Sequence, residues 1–154
     1  MIRRAEIKDI PRIDDLLYQV HRVHALIRPD IFKIGNKKYT DEELKVLIAD
    51  DSKPIFVLDE DDTVKGYAFC AIQETPENNS VSYRKTLYID DLCVDECFRG
   101  QHVGSRLYKF VVEFAKSISC HSLTLNVWES NDAARAFYDN MGLKPLKTTM
   151  EQVL

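Results

Sequence analysis

No stretch of this 154-residue chain holds the roughly 20 consecutive apolar residues of a membrane-spanning helix. Its first residues, Met1-Ile-Arg-Arg-Ala-Glu6, lack the apolar segment of a secretory signal, which predicts a cytoplasmic protein. Cysteine offers no framework either. Cys70, Cys93, Cys97 and Cys120 are irregularly spaced, form no CxxC pair and join no Cys/His cluster of zinc spacing. Reduced thiols and no metal are therefore expected. An excess of positive charge is also missing: 21 Lys and Arg against 25 Asp and Glu give a net charge of −4. A nucleic-acid partner would call for a basic face, so none is expected, and no membrane partner either. With no internal repeat, no low-complexity tract and no long linker, the chain reads as one domain over residues 1–154, long enough to bury a core.

What the chain does contain is well patterned. A short strand is predicted at Ile2–Glu6, followed by a helix capped by Asp9 with Pro11 in its first turn. Ile10, Ile13, Leu16, Leu17, Val20 and Val23 give that helix an apolar stripe to about Leu26, before Arg28-Pro29 stops it. An irregular stretch follows, then a capping box of Thr40 and Glu43 that opens a shorter helix to about Ala49. Strands are predicted at Pro54–Leu58, Val64–Gln73, Lys85–Val94, Ser122–Val127 and near Lys144–Gln152. The acidic run Asp59-Glu-Asp-Asp62 reads as a solvated hairpin tip. The predicted order β-α-α-β-β-β-α-β-α-β implies a mixed α/β (α+β) sheet, antiparallel first and locally parallel near its end.

The most informative segment is Leu92-Cys-Val-Asp-Glu-Cys-Phe-Arg-Gly-Gln-His-Val-Gly-Ser105. A strand passes through a loop bracketed by Gly100 and Gly104 into a helix whose apolar face is Val103, Leu107, Phe110, Val111 and Phe114. A helix start gathers unpaired N–H groups and the positive end of the dipole, which suits a phosphate or pyrophosphate. The loop lacks the Gly-Lys-Ser/Thr of a triphosphate site and the Gly-x-Gly-x-x-Gly of a dinucleotide site. It does resemble the acetyl-CoA loop of the GNAT superfamily of N-acetyltransferases, Arg/Gln-x-x-Gly-x-Gly/Ala. Arg99 and Gly104 match, while His102 stands where the family usually has glycine. A second segment, Asn131-Asp-Ala-Ala-Arg-Ala-Phe-Tyr-Asp-Asn-Met-Gly142-Leu, resembles the later GNAT motif Asn-x-x-Ala-x-x-Phe-Tyr-x-x-x-Gly-Phe. Its helix has Ala134, Phe137, Tyr138 and Met141 inward and Gly142 as its left-handed end.

The resemblance implies a GNAT acyl-CoA N-acyltransferase fold, acetyl-CoA as cosubstrate without a metal, and transfer of acetyl to a primary amine by direct attack. The acceptor would be a small-molecule or peptide amine. The cofactor side would be Leu92, Cys93, Val94, Arg99, Gly100, Gln101, His102, Val103, Gly104, Ser105, Asn131 and Tyr138. In this family the two motif-bearing strands splay apart around the pantetheine arm, and a bulge exposes the N–H near Val94 to the oxyanion. The first two helices overlie the acceptor. Tyr138 matches the tyrosine beside the CoA sulfur. Asp90 and Asp91 are the candidate bases; strand alternation lets only one face the cleft, with a lean to Asp90. Cys93 reads as inert packing, His21 and His24 as acceptor contacts or plain surface residues, and Trp128 and Tyr88 as shapers of the acceptor pocket or as core. Homodimers are common in the family, though no surface feature of the sequence demands one. A catalytically weak GNAT-fold acyl-CoA-binding or regulatory module is the alternative that the His102 departure keeps open.

Overall fold

The computed structural model describes residues 1–154 and is built on one five-stranded sheet, β1 to β5 in spatial order. The strands are β1 (Ile2–Arg4), β2 (Ile55–Glu60), β3 (Thr63–Thr75), β4 (Arg84–Val94) and β5 (Ser122–Leu125). The first three pairings are antiparallel; β5 lies parallel to β4, from Thr86↔Ser122 to Ile89↔Leu125. The helices are α1 (Ile10–Ile27), α2 (Asp41–Ala49), α3 (Val103–Ser117) and α4 (Asp132–Asn140). The parallel pair is a consequence of α3, which crosses over the sheet between β4 and β5.

Period-two alternation divides the core into two layers. Ile55, Val57, Tyr67, Phe69 and Cys93 face α1 and α2, meeting Ile10, Ile13, Leu16, Leu17 and Leu44. Phe56, Ala68, Cys70, Leu87 and Ile89 face Tyr108, Val111 and Ala115 of α3, and the residues of α4 pack more loosely on the same side. No helix is long and apolar enough to cross a membrane.

Four expectations need correction. Asp9 does not cap α1 with its side chain. It lies in a 3-10 turn, Ile7–Asp9, where its carboxylate accepts the Glu6 N–H at 2.8 Å and two Arg3 hydrogen bonds at 2.7 and 2.9 Å. The acidic run is not all hairpin tip. Asp59 pairs with Arg3 at 2.7 Å, and Glu60 binds Arg106 at 2.6 Å and Lys65 at 3.1 Å. Those two cations hold the Glu60 carboxyl down at about 2. Only Asp61 and Asp62 turn the chain, both at positive φ (54° and 55°), as a two-residue primed hairpin requires. The strand expected near Lys144–Gln152 does not form. Residues 144–154 are exposed coil, and no backbone hydrogen bond reaches any of them, so the extended segment has no ladder to join. The fourth correction, the place of the bulge, decides the geometry of the site.

Candidate active site

The loop between β4 and α3 is tied down from the opposite layer. Asp95, buried at the end of β4, accepts the Cys97 N–H at 2.7 Å and a close ion pair from Arg12 of α1. Burial alone would raise the Asp95 carboxyl, but Arg12 and that N–H bring it below its ordinary range. The chain then turns through Gly100 (φ 78°) and His102 (φ 61°) into α3. His102 therefore adopts the left-handed backbone that explains glycine at this position, a conformation histidine tolerates better than most residues. The first α-helical bond of α3 is Arg106 N–H to His102 C=O at 3.0 Å, which leaves the N–H groups of Val103, Gly104 and Ser105 without helical partners. Arg99 makes no ion pair.

These groups border a cavity of about 370 Å³ lined by Val94, Phe98, Arg99, Gly100, His102, Val103, Gly104, Ser105, Phe137, Asn140 and Met141. Gly104 is small because two elements converge on it: a Cβ there would lie 3.3 Å from Val94 Cγ2 and 3.4 Å from the Phe137 ring. A glycine-bordered cradle with free helix N–H groups and an unpaired arginine fits the pyrophosphate of an acyl-CoA.

Pairing between β4 and β5 stops at Ile89, so from Asp90 to Val94 the outer edge of β4 has no strand beside it. The Asp95 N–H bonds back to Lys65 of β3 at 3.0 Å; by strand alternation the N–H groups of Leu92 and Val94 point to the open edge. The bulge lies elsewhere than expected. Register shifts where Phe69 faces Asp91 and Cys70 faces Ile89, so Asp90 is the extra residue. Val94 owes its exposed N–H to the splayed edge instead.

The bulge also overturns the expectation that only one of Asp90 and Asp91 faces the α1–α2 layer. Asp90 accepts Tyr39 Oη at 2.6 Å and Lys38 Nζ at 2.7 Å, both from the segment leading into α2. Asp91 accepts Tyr67 Oη at 2.7 Å. Tyr39 and Tyr67 both pack on Phe69 of that layer, at 5.5 and 4.8 Å between ring centroids. The two neighbours differ in what they hold. Burial raises the Asp91 carboxyl to about 6, against the pull of Tyr67 and Lys38 and with the push of Asp90. Asp90 instead grips two side chains that fix the approach to α2.

Tyr138, on α4, makes no hydrogen bond through its hydroxyl. Burial, then the Asp91 charge, then Tyr108 push its phenol well above the ordinary range, so its proton is firmly held. Asn131 caps α4 by accepting the Ala134 N–H at 3.3 Å and does not line the cavity. Beside α1, Phe32 packs against His21, His24 and Trp128, with centroids 5.7, 5.3 and 5.6 Å apart, and Arg28 lies over Trp128. Burial and the neighbouring His21 lower the His24 pKa. Tyr88 reaches Asn126 at 3.3 Å.

Of the residues named from the sequence, the cavity gathers Val94, Arg99, Gly100, His102, Val103, Gly104 and Ser105. Leu92 lies along the open strand edge, while Gln101 and Tyr138 do not line the cavity. Cys93 is a correction. Its side chain is buried with its Sγ 3.5 Å from the Leu16 carbonyl oxygen, its carbonyl turns toward Gly66, and nothing of it is left for a cofactor. Sequence reasoning missed Tyr67, Tyr39 and Lys38 because they lie 24, 51 and 52 positions from the carboxylates they bind. It also missed Asn140 and the Arg12–Asp95 tie. The only available signal was Arg12 and Asp95 at the polar edges of otherwise apolar runs.

The parallel strands part beyond Ile89, with the N-terminus of α3 on one side of the gap and the Asp90–Asp91 pair on the other, in a mixed α/β fold. The family model described as the acetyltransferase (GNAT) family matches residues 20–143, and the chain belongs to that family. The chain is similar over 100% of its length, and 99% of the other's, to a single-residue mutant of the BH1408 protein of Bacillus halodurans, with 30% identity and a TM-score of 0.96. It is 34% identical over 62 residues to the thialysine N-epsilon-acetyltransferase of Bos taurus, a match spanning 40% of this chain and 36% of that protein. An aminoglycoside N-acetyltransferase solved in complex with CoA shares the fold at 14% identity and a TM-score of 0.74, over 100% of this chain and 98% of that one.

Proposed function

We propose that this chain is an N-acetyltransferase that transfers acetyl from acetyl-CoA to a primary amine of a small molecule or peptide by direct attack. The observation that carries the reading is the gap beyond Ile89, with Asp91 raised to about 6 on one side and the Tyr138 phenol on the other. Proteins of this family use acetyl-CoA, which supplies the acetyl thioester, and the cradle of Arg99, Gly100 and the first turn of α3 fits its pyrophosphate. The Val94 N–H, free of the ladder, is the donor for the developing oxyanion.

An alkylammonium holds its proton to about pH 10.4, so the acceptor needs a base. Asp91 takes that proton, directly or through a water, as the amine nitrogen bonds to the acetyl carbon and the carbon–sulfur bond breaks. Its high pKa for a carboxyl brings it nearer the amine than an ordinary aspartate. Asp90 positions Lys38 and Tyr39 and is not the base. Tyr138 holds its proton too firmly to surrender it to a thiolate, whose thiol ionises near ~8.5. It therefore stabilises the departing sulfur by donating a hydrogen bond, and the sulfur takes its proton from solvent. His102 keeps the loop in its left-handed turn, which favours an intact cofactor site over a crippled one.

Titration calorimetry with acetyl-CoA, beside thiol release with a panel of amines, tests this. Binding that is lost in Gly104→Trp, together with amine-dependent thiol release, is expected. Absence of binding in the unaltered protein overturns the reading.

A further inference from the structure

The segment between α1 and α2, residues 28–40, carries two neighbouring lysines with opposite fates. Lys37 is locked: its amine pairs with Asp14 of α1 and Asp41 of α2, and its side chain is only 16% exposed. Lys38 has a single ion pair, to Asp90 Oδ2 at 2.7 Å, and its side chain is 43% exposed. The backbone around it is fixed from both sides. Lys37 anchors it on one side. On the other, Tyr39 stacks on Phe69 with ring centroids 5.5 Å apart and donates to the same Asp90 oxygen at 2.6 Å. The Lys38 amine lies 5.3 Å from the centre of the Tyr39 ring. No other lysine pairs with either carboxylate at the β4 bulge.

This arrangement sets a primary amine at the start of the gap between β4 and β5, since Asp90 is the first residue beyond the last pair, Ile89↔Leu125. The bulge turns Asp90 and Asp91 toward the same layer. An amine held by the one is therefore a rotamer change from the other, on a stem with four rotatable bonds. The electrostatics agree with that placement. Burial raises the Asp91 carboxyl and the Tyr88 phenol and lowers His24, and in all three the Lys38 charge pulls the pKa down.

We propose that Lys38 is itself an acceptor, and that this chain acetylates the Nζ of its own Lys38 when acetyl-CoA is bound. The inference rests on the acetyl transfer proposed above and names one amine that the site takes. Asp91 withdraws a proton from the ammonium, Nζ bonds to the acetyl carbon, and the carbon–sulfur bond breaks. The nitrogen then loses its second proton to solvent, the sulfur gains one from solvent, and Asp91 returns its own. The products are an amide on Lys38 and the free thiol of CoA. A tethered amine gives up no translational freedom on arrival, which favours this step over capture of a dilute amine. The amide carries no charge, so the modification strips Asp90 of its cation and opens that carboxylate to the ammonium of an incoming acceptor.

Incubation of the intact chain with acetyl-CoA and no added amine, read by intact mass and peptide mapping, tests this beside calorimetric binding of acetyl-CoA. One acetyl group on Lys38 is expected, appearing at a rate per molecule that dilution of the protein leaves unchanged. Lys38→Arg keeps a cation against Asp90 and should abolish the mark, while Asp91→Asn should slow it on the order of 10²–10⁴-fold. Exposed lysines such as Lys8, Lys45 and Lys109 report uncatalysed acetylation by the thioester in the same maps. Marking of Lys38 no faster than theirs, or a rate that Asp91→Asn leaves intact, overturns the proposal. So does a rate that falls on dilution, since the amine then comes from another molecule. A protein that binds acetyl-CoA and leaves Lys38 unmodified overturns this inference alone; one that binds none overturns the proposed function with it.

Discussion

The molecule is unevenly built. All 28 buried residues lie at or before Ala115; the end of α3, β5, α4 and the coil that follows hold none. The first region is closed by long-range pairing: the α1–α2 layer seals one face of β1–β4, and carboxylates buried at Asp9 and Asp95 are matched by Arg3 and Arg12. The second is an amphipathic helix and a four-residue strand leaning on α3. The difference matters because the site straddles it. Asp91 is fixed in the dense region, whereas Tyr138 and the Phe137–Met141 wall of the cavity belong to the open one. The proposed base is thus set in the dense region and faces a loosely packed cavity wall, as would suit the proposed transfer, which must admit a long pantetheine arm and hold an amine still.

The sharpest way to separate the two halves is Asp91→Asn. It should lower kcat/KM by on the order of 10²–10⁴-fold, as loss of a general base does. The same change should make the protein more stable. A native carboxyl that titrates near 6 instead of 3.8 binds more protons than the unfolded chain between those values, so its contribution to stability falls as pH rises through that window. At pH 7 the amide relieves that burden by on the order of 2 kcal/mol, readable in urea unfolding, while still accepting the Tyr67 hydroxyl. In the unaltered enzyme kcat/KM should fall as pH drops through about 6.

Next in size is a pair of truncations. Leu16→Ala, in the sealed layer, should cost about 3 kcal/mol of unfolding free energy, whereas Leu123→Ala, on half-covered β5, should cost about 1 kcal/mol. Equal costs would break the contrast between the regions. Tyr138→Phe should lower kcat roughly 10-fold to 100-fold without moving the pH midpoint set by Asp91, because it removes a hydrogen bond and no titrating group. The smallest effect is His102→Gly. Relief of a left-handed histidine is largely offset by the unfolded-state entropy of glycine, so stability should shift by less than about 1 kcal/mol and acetyl-CoA affinity only slightly.

Legibility in the sequence follows the same division. Elements set by local periodicity or caps were readable: α2 opens on the Thr40–Glu43 box as its residues imply, and the α3 stripe stands where the spacing puts it. Features that depend on a partner strand were not. Lys144–Gln152 has the alternation of a strand, but alternation states a capacity, and a ladder needs a second edge. The choice between Asp90 and Asp91 was unreadable for a related reason. Alternation was counted on an uninterrupted strand, and nothing local to Tyr88-Ile-Asp-Asp-Leu92 marks the extra residue. Likewise the raised carboxyl of Asp91 comes from burial among residues brought from β3 and the segment before α2.

That extra residue makes the strand odd where it would otherwise be even. Before Asp90, odd-numbered positions of β4 (Leu87, Ile89) look toward α3; after it, odd-numbered positions (Asp91, Cys93) look toward α1. One strand is in effect two, spliced half a period out of phase, and the splice is where chemistry is proposed to happen. Flattening the bulge with every residue kept would erase more than a kink. It would bring the two halves back into step, forcing either Leu87 and Ile89 or Asp91 and Cys93 through the sheet to the wrong layer. The count of residues across this strand, and not their identity alone, is therefore what ties the site to the fold.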